Sequence, residues 1–403
     1  MLNLKDELSQ NELNILKTIY QAGPISRVKI SRILKLTRAT VTVITKKLME
    51  LDLILEVGKG ISTEGRGRRE VLLTINAESG YIFTIYISLT DYMIGILDLS
   101  GKVLEKTRHS FELGTPPYTL LDPISNIIEN YISRNHVPKN KIFGIVMALP
   151  GIIDYRQGMV REYTLSGWQG FRIRYYLENK FDIKVLLEND VKTYTMGEFQ
   201  FGIGKHVKNM ICLWLGNGIG AGIITNGHMI RGISSSAGEV GFNEFVMGHN
   251  SAKSILTASQ PKCWGDLLSI TNLKNTVRMG IEEGWKTELA TDSDISDLIH
   301  AIENGDPLGL YIFKLLSQYL GIISRNLIYT FNPEILLLSG PLLYKLPRLA
   351  SEVQNQLNKS TLRSPLESVI IKTSMLGENG ILAGGVSLML EYLFDNTNNH
   401  YFH

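Results

Sequence analysis

The chain has 403 residues, enough for two or three domains and a large buried core. Two cysteines, Cys212 and Cys263, exclude a disulfide framework and a four-cysteine zinc site, and that usage fits a reducing cytoplasm. The net charge of +2 is unevenly spread: residues 1–70 hold seven Lys and six Arg against eight carboxylates, the pattern of a module that meets a polyanion attached to a body that does not. The longest apolar stretch, residues 142–153, is broken by Gly and Pro and falls short of the roughly 20 residues of a membrane helix. The opening residues lack the apolar core of a signal peptide, so the expectation is a soluble, cytoplasmic protein with no membrane partner.

Three helical patterns open the chain. Leu13, Leu16, Ile19 and Tyr20 recur at helical spacing, and Gly23-Pro24 stops them. The second pattern starts at Ser26, a capping residue type, and carries Ile30, Ile33 and Leu34 inward. The third follows Thr37, with Val41, Ile44, Leu48 and Leu51 on one stripe, which turns Arg38, Thr40, Thr42, Thr45 and Lys46 outward. A short helix, a tight turn and a helix with a small, polar, basic outer face is the layout of a helix-turn-helix. Thr37, Arg38, Thr40, Thr42 and Lys46 are therefore candidate DNA contacts. Two β-rich runs then flank a loop with Arg66, Arg68 and Arg69, as in a wing whose Gly65 and Gly67 let the backbone approach DNA while the arginines meet phosphates or the minor groove. A three-helix dimerisation bundle with a solvated loop is the competing reading. The ordered succession of helices and basic hairpin favours DNA binding.

From about residue 79 strands and helices alternate. Residues 81–89, 92–99 and 102–113 read as three strands, 117–135 as a helix and 141–149 as a strand ending in Pro150-Gly151. Residues 183–190 form a strand leading into a helix over about 190–202, and 209–227 read as strand, turn and strand. After a long helical stretch come strands in "PEILLLSG" and "SVIIKTS" and a last helix in "NGILAGGVSLMLEYLF". The pattern predicts two α/β halves of similar plan with a cleft between them. The tail, residues 396–403, reads as disordered.

The segments "GRGRREVLLTIN", "GIVMALPGIID", "VLLENDVKTYTMGEFQFG", "LGNGIGAGIITNGHMIRG", "AGEVG" and "NPEILLLSG" occur in an order and spacing that resemble the ROK family of repressors, open reading frames and kinases, nearly end to end. With its N-terminal module the chain resembles the family's repressors. The resemblance implies a winged helix-turn-helix over 1–78 and a two-lobed actin- and hexokinase-like (ribonuclease H-like) α/β body. Its lobes would span 79–188 and 189–403, with the C-terminal helix, about 379–394, returning to the first.

In the family's kinases an Asp-x-Gly-Gly-Thr loop and a Gly-rich turn hold the nucleotide. The first falls here on Tyr86, Ser88, Leu89 and Thr90, of which the threonine alone matches. Leu89 puts a side chain where bare backbone must approach phosphate, and Tyr86 replaces the carboxylate that handles the metal. Gly216, Gly218, Gly220 and Gly222 then read as a tight strand connection, and the expectation is no kinase activity and no cofactor.

For the sugar side, the resemblance carries Gly151, Asn189, Asp190 and Glu239 over as effector contacts. The alternative for Asn189 and Asp190 is simple helix capping, and for Glu239 a surface carboxylate. Phe242 stands where the family has a histidine. Of the family's zinc-site cysteines Cys263 alone remains, with Leu256 and Ala258 at the others and Gly265 at a glutamate, so no metal is expected. Asp266 is a candidate stand-in for that glutamate, and His249 reads as a solvated loop residue.

The expected function is a DNA-binding transcriptional regulator, a repressor of carbohydrate-utilisation genes. Its partners would be a palindromic double-stranded operator, a small carbohydrate effector in the interlobe cleft and a second copy of itself, with a tetramer as the larger alternative. A sugar kinase with a fused DNA-binding module and a regulator that has lost sugar sensing are the competing functions.

Overall fold

The computed structural model describes residues 7–59, 70–133, 137–162, 167–244, 261–360 and 362–394. Arg66, Arg68 and Arg69, with Gly65 and Gly67, lie outside these residues, as do His249, Leu256, Ala258 and the tail. The N-terminal module comprises α1 (Gln10–Ala22), β1 (Ile25–Ser26), α2 (Arg27–Leu34), α3 (Arg38–Glu50), β2 (Ile54–Lys59) and β3 (Val71–Ile75). Next come β4 (Tyr81–Ile87), β5 (Asp91–Asp98), β6 (Val103–Ser110), α4 (Pro117–Ser133), β7 (Ile142–Leu149), β8 (Ile152–Asp154), β9 (Met159–Glu162), α5 (Ile173–Phe181), β10 (Val185–Asn189) and α6 (Asp190–Gln200). The strands β11 (Met210–Leu215), β12 (Ile219–Thr225) and β13 (His228–Met229) precede α7 (Trp264–Leu268), α8 (Ile270–Glu282), α9 (Ile295–Asn304) and α10 (Pro307–Phe331). The chain closes with β14 (Ile335–Ser339), α11 (Pro341–Lys345), α12 (Arg348–Leu357), α13 (Ser364–Ser368), β15 (Ile370–Thr373) and α14 (Asn379–Phe394).

In the N-terminal module Leu13, Leu16, Ile19, Ile30, Val41 and Leu48 form the core. The antiparallel sheet β1-β3-β2 closes it. Ser26 caps α2 by accepting the Lys29 N–H, and Thr37 caps α3 by accepting the Thr40 N–H. Lys35 takes a left-handed conformation at φ 55°, which makes the turn between them short. Three outward and inward assignments change. Ile33 is 58 % exposed rather than inward, whereas Thr45, expected outside, is fully buried. Thr45 Oγ1 accepts from Arg27 Nε at 2.9 Å, and Arg27 Nη2 also reaches Glu56 Oε1 at 2.9 Å. One guanidinium thus ties α2 to α3 and to the wing strand. Leu51, placed on the inner stripe by its spacing, is exposed at the end of α3.

By compactness the chain forms two units: residues up to Phe201 together with those from Glu378 on, and Gly202–Gly377. In the first, the sheet order is β10-β7-β4-β5-β6, with β10, β7 and β4 parallel and β5 and β6 antiparallel additions. One face holds a core of Phe83, Ile85, Ile145, Leu187 and the α4 residues Leu121, Ile124 and Ile128. The other is covered by α14, with Thr84 Oγ1 donating to the Leu382 carbonyl at 2.9 Å. Glycines let α14 and α6 approach to backbone contact: a Cβ on Gly197 would strike the Gly380 carbonyl, and one on Gly384 the Thr193 carbonyl. That contact keeps α6 with the first unit, so the unit boundary follows α6, whereas the sequence division was drawn before it, between 188 and 189. The winged module is seated here as well. Tyr20 of α1 lies edge-on to Phe201 and Phe394, with centroids 6.3 and 5.7 Å away, and its carbonyl accepts from Gln200 Nε2.

The second unit repeats the topology. Its order is β13-β12-β11-β14-β15, with β11, β14 and β15 parallel and β12 and β13 antiparallel, the same strand plan as the first sheet. Its core joins Ile211, Leu213, Leu336 and Leu338 to Leu316, Leu320 and Ile323 of α10. Among the described residues no helix is long and apolar enough to cross a membrane.

Candidate DNA-binding and effector sites

The outer face of α3 presents Arg38, Ala39, Thr42, Val43 and Lys46 to solvent. Arg38 makes no ion pair among the described residues, and Lys46 faces Glu50 at 3.8 Å, an exposed contact that a phosphate can displace. Thr37 and Thr40 share a hydroxyl–hydroxyl bond of 2.8 Å, so one proton of that pair is committed and the other remains available to a phosphate oxygen. The Thr42 hydroxyl donates to the Arg38 carbonyl at 2.8 Å, which leaves it acceptor capacity and a methyl. Lys47, also exposed, is held 2.8 Å from Glu12 on α1. Sorting by polarity missed Val43, which is 70 % exposed on this face. The signal was its position two residues after Val41, off the buried stripe.

Gly151, Asn189 and Asp190 come together at the carboxyl ends of the parallel strands β7 and β10, where ligands of open α/β sheets bind. Gly151 has φ +96°, a conformation that suits glycine, and its carbonyl accepts from Asn189 Nδ2 at 3.1 Å. Asn189 Oδ1 accepts the Lys192 N–H at 3.0 Å, so Asn189 is the cap of α6. Asp190 is the first residue of α6, half-buried, with Oδ1 accepting its neighbour Val191 N–H at 2.9 Å. The capping alternative therefore applies to Asn189. The sequence did not reveal the hairpin β8–β9 that follows Gly151. Asp154 in it is buried, pairs with Arg161 and accepts the N–H groups of Gln157 and Arg156. Burial pushes its carboxyl pKa up, but those donors and the Arg161 charge outweigh burial and hold it below the ordinary value. Arg174 anchors the same hairpin by donating to the Tyr155, Arg156 and Val185 carbonyls.

Glu239 belongs to the second unit. It borders a cavity of about 300 Å³ lined also by Ser236, Asn243, Trp264, Asn326 and Thr330. Phe242 is 75 % exposed. Asp266 is exposed and accepts the Lys262 N–H at 3.1 Å, and Cys263 bridges to Glu244 in a short antiparallel contact.

At the nucleotide-loop positions Tyr86 stands in register with Ala148 of β7, which is in register with Glu188 of β10. Ser88 Oγ accepts the N–H groups of Thr90 and Asp91 at 3.3 and 3.1 Å, closing a side-chain turn. The glycine-rich turn joins β11 to β12 as an antiparallel hairpin, closed by Gly216 N–H donating to the Gly218 carbonyl at 2.9 Å.

A winged helix-turn-helix followed by two sheets of one repeated ribonuclease H-like plan defines a class, and sequence comparison places the chain within it. The chain belongs to the ROK family, whose pattern matches residues 83–392, and residues 8–55 match the MarR family. The xylose repressor of Bacillus spizizenii is 30% identical over 386 residues, 96% of each chain. The DNA-binding transcriptional repressor Mlc of Escherichia coli is 24% identical over 383 residues, covering 94% of this chain and 93% of its own. Among solved structures, a ROK family transcriptional regulator described as a homologue of the E. coli MLC protein superposes with a TM-score of 0.78, 23% identity and coverage of 95% and 96%. A ROK family glucokinase from Streptomyces griseus, in complex with glucose and AMPPNP, gives 0.64 at 20% identity, over 77% of this chain and 99% of its own. These likenesses establish the winged helix-turn-helix and the kinase-like body of the fold.

Proposed function

We propose that the protein is a DNA-binding transcriptional repressor of carbohydrate-utilisation genes, with a sugar or sugar derivative as effector. The observation that carries this is the continuous likeness to a curated repressor across winged module and body together, 96% of both chains. Arg38 and Lys46, with Arg66, Arg68 and Arg69 of the wing, meet phosphates; Thr37, Thr40 and Thr42 lie at the start of the reading helix. The functional form is a homodimer on a palindromic operator, one winged module per half-site. In the cytoplasm the effector contacts are Gly151, Asn189 and Asp190 of the first unit and Glu239 of the second, with Asp190 accepting a sugar hydroxyl. A coupling of about 1 to 3 kcal/mol between the sites changes operator affinity roughly 5- to 150-fold, enough for a switch.

The protein is not a kinase in this reading, because Tyr86, Ser88 and Leu89 replace the phosphate-cradling residues and the Ser88 hydroxyl engages the turn N–H groups itself. The test is thermal unfolding against pentoses, hexoses, amino sugars and ATP, followed by operator binding with any sugar that stabilises the protein. One sugar is expected to raise the melting temperature by several degrees and to change DNA affinity, with both effects removed by Asp190→Asn. Stabilisation by ATP with sugar-dependent ATP consumption would establish the kinase reading instead, and a flat sugar panel the ligand-blind regulator.

A further inference from the structure

The outer face of α3 is not uniformly polar. Val43 sits at its centre, 70 % exposed, with exposed Ala39 one turn before it and Thr42 beside it. Packing gives no reason for an isopropyl group there, since the buried stripe of the same helix runs through Val41, Thr45 and Leu48. Helix propensity argues against it too, because a β-branched residue at an exposed helix site is worse than alanine or lysine. The same stiffness fixes the side chain in one rotamer and makes it a preset apolar knob. On the same helix Arg38 and Lys46 are exposed on either side of it, and Lys29, Arg32 and Lys35 of α2 and its turn are exposed as well. This charge fits a polyanion. Thr42 brings no uncommitted donor, because its hydroxyl proton goes to the Arg38 carbonyl. The centre of the face therefore offers apolar contact, flanked by cations that fix its position on a phosphate backbone. In the major groove the thymine C5-methyl is the feature that such a surface reads.

We propose that Val43 is a specificity-determining residue that packs on a thymine methyl in each operator half-site. This rests on the DNA-binding reading above and adds a base preference to it. Full-length protein is used to select duplex sites from a random library. Each thymine of the selected site is then replaced in turn by uracil, which keeps the hydrogen-bonding edge and removes the methyl. For the native protein one uracil per half-site is expected to weaken binding about fourfold, the size of one methyl group removed from water. Val43→Ala, which improves helix propensity and leaves the core untouched, is expected to bind the thymine and uracil sites equally, with Val43→Thr intermediate.

A selected site whose uracil replacements affect native protein and Val43→Ala alike overturns the inference and leaves DNA binding standing. So does a site with no thymine in the contacted steps. Failure to select any site removes the DNA-binding reading, and the inference with it. A Val43→Ala protein with altered sedimentation but unchanged thymine dependence assigns the side chain to a protein contact and also overturns it.

Discussion

Tyr20 keeps its ring between Phe201 and Phe394, while its hydroxyl is buried beside Ser387 and Glu391 without a well-formed hydrogen bond. Burial pushes the phenol pKa far up, so the group stays neutral. Tyr20→Phe removes an unsatisfied polar atom and is expected to be neutral or stabilising by up to about 1 kcal/mol in urea titration. Asp154 makes the opposite case. Its folded pKa lies below the ordinary carboxylate value, so its contribution is fully present above about pH 4 and is lost as the pH falls through the depressed value. Urea midpoints measured between pH 6 and 3 should fall more steeply for the native protein than for Asp154→Asn. The variant itself should be about 1 to 3 kcal/mol less stable at pH 6, where Arg161 loses its partner.

Between α14 and α6 the spacing is set by glycine. Gly384→Ala drives a methyl into the Thr193 carbonyl, a neighbour that cannot rotate away, and should cost about 3 kcal/mol or more by thermal or urea unfolding. Gly218→Ala in the β11–β12 turn meets no atom within 4 Å and should change stability by less than about 0.5 kcal/mol. Elements of this kind also divide what was legible from sequence. The three helices and two later strands of the winged module, the strands from β4 to β7, the β11–β12 hairpin and α14 announce themselves by periodicity, caps and glycine turns, whereas the two-residue β1 does not. The β8–β9 hairpin did not, because its strands are three and four residues long and its order comes from Asp154, Arg161 and Arg174 converging from separate positions. Thr45 and Ile33 were misplaced because polarity stood in for geometry. A threonine is buried where an arginine supplies its hydrogen bond, and an isoleucine on α2 is left 58 % exposed. For Asn189 and Asp190 the sequence could not separate capping from ligand contact, since an Asn-Asp pair before a helix offers two caps; the structure uses Asn189 as the cap.

Across the whole molecule, one strand plan is used twice, and the two copies are furnished differently. The first unit holds the winged module, Gly151, Asn189 and Asp190, and the second holds Glu239. Helix α6 runs about 15 Å from Asp190 to Gln200, at the rise of an α-helix, and Gln200 bonds the carbonyl of Tyr20. Asp190 and the seat of α1 are thus at the two ends of one helix. Tyr20→Ala is expected to leave DNA binding measurable by the isolated protein but to reduce the sugar-induced change in affinity, compared by titrating labelled operator with and without the stabilising sugar. An unchanged sugar response would place the coupling elsewhere.

The covering of the first sheet by α14 also sets an order of events during synthesis. Strands β4, β5 and β7 and the helix α1 are made before residue 201, whereas the helix that shields one sheet face and receives Tyr20 is made after residue 378. At about 5 to 20 residues per second, the stretch separating Phe201 from Asn379 takes roughly 10 to 40 s to translate. During that interval the nascent chain carries an apolar sheet face without its lid and α1 without the Phe394 side of its seat. A ribosome stalled before residue 379 therefore holds a winged module that can rest on Phe201 and Gln200 but lacks the part of its seat that Phe394 supplies.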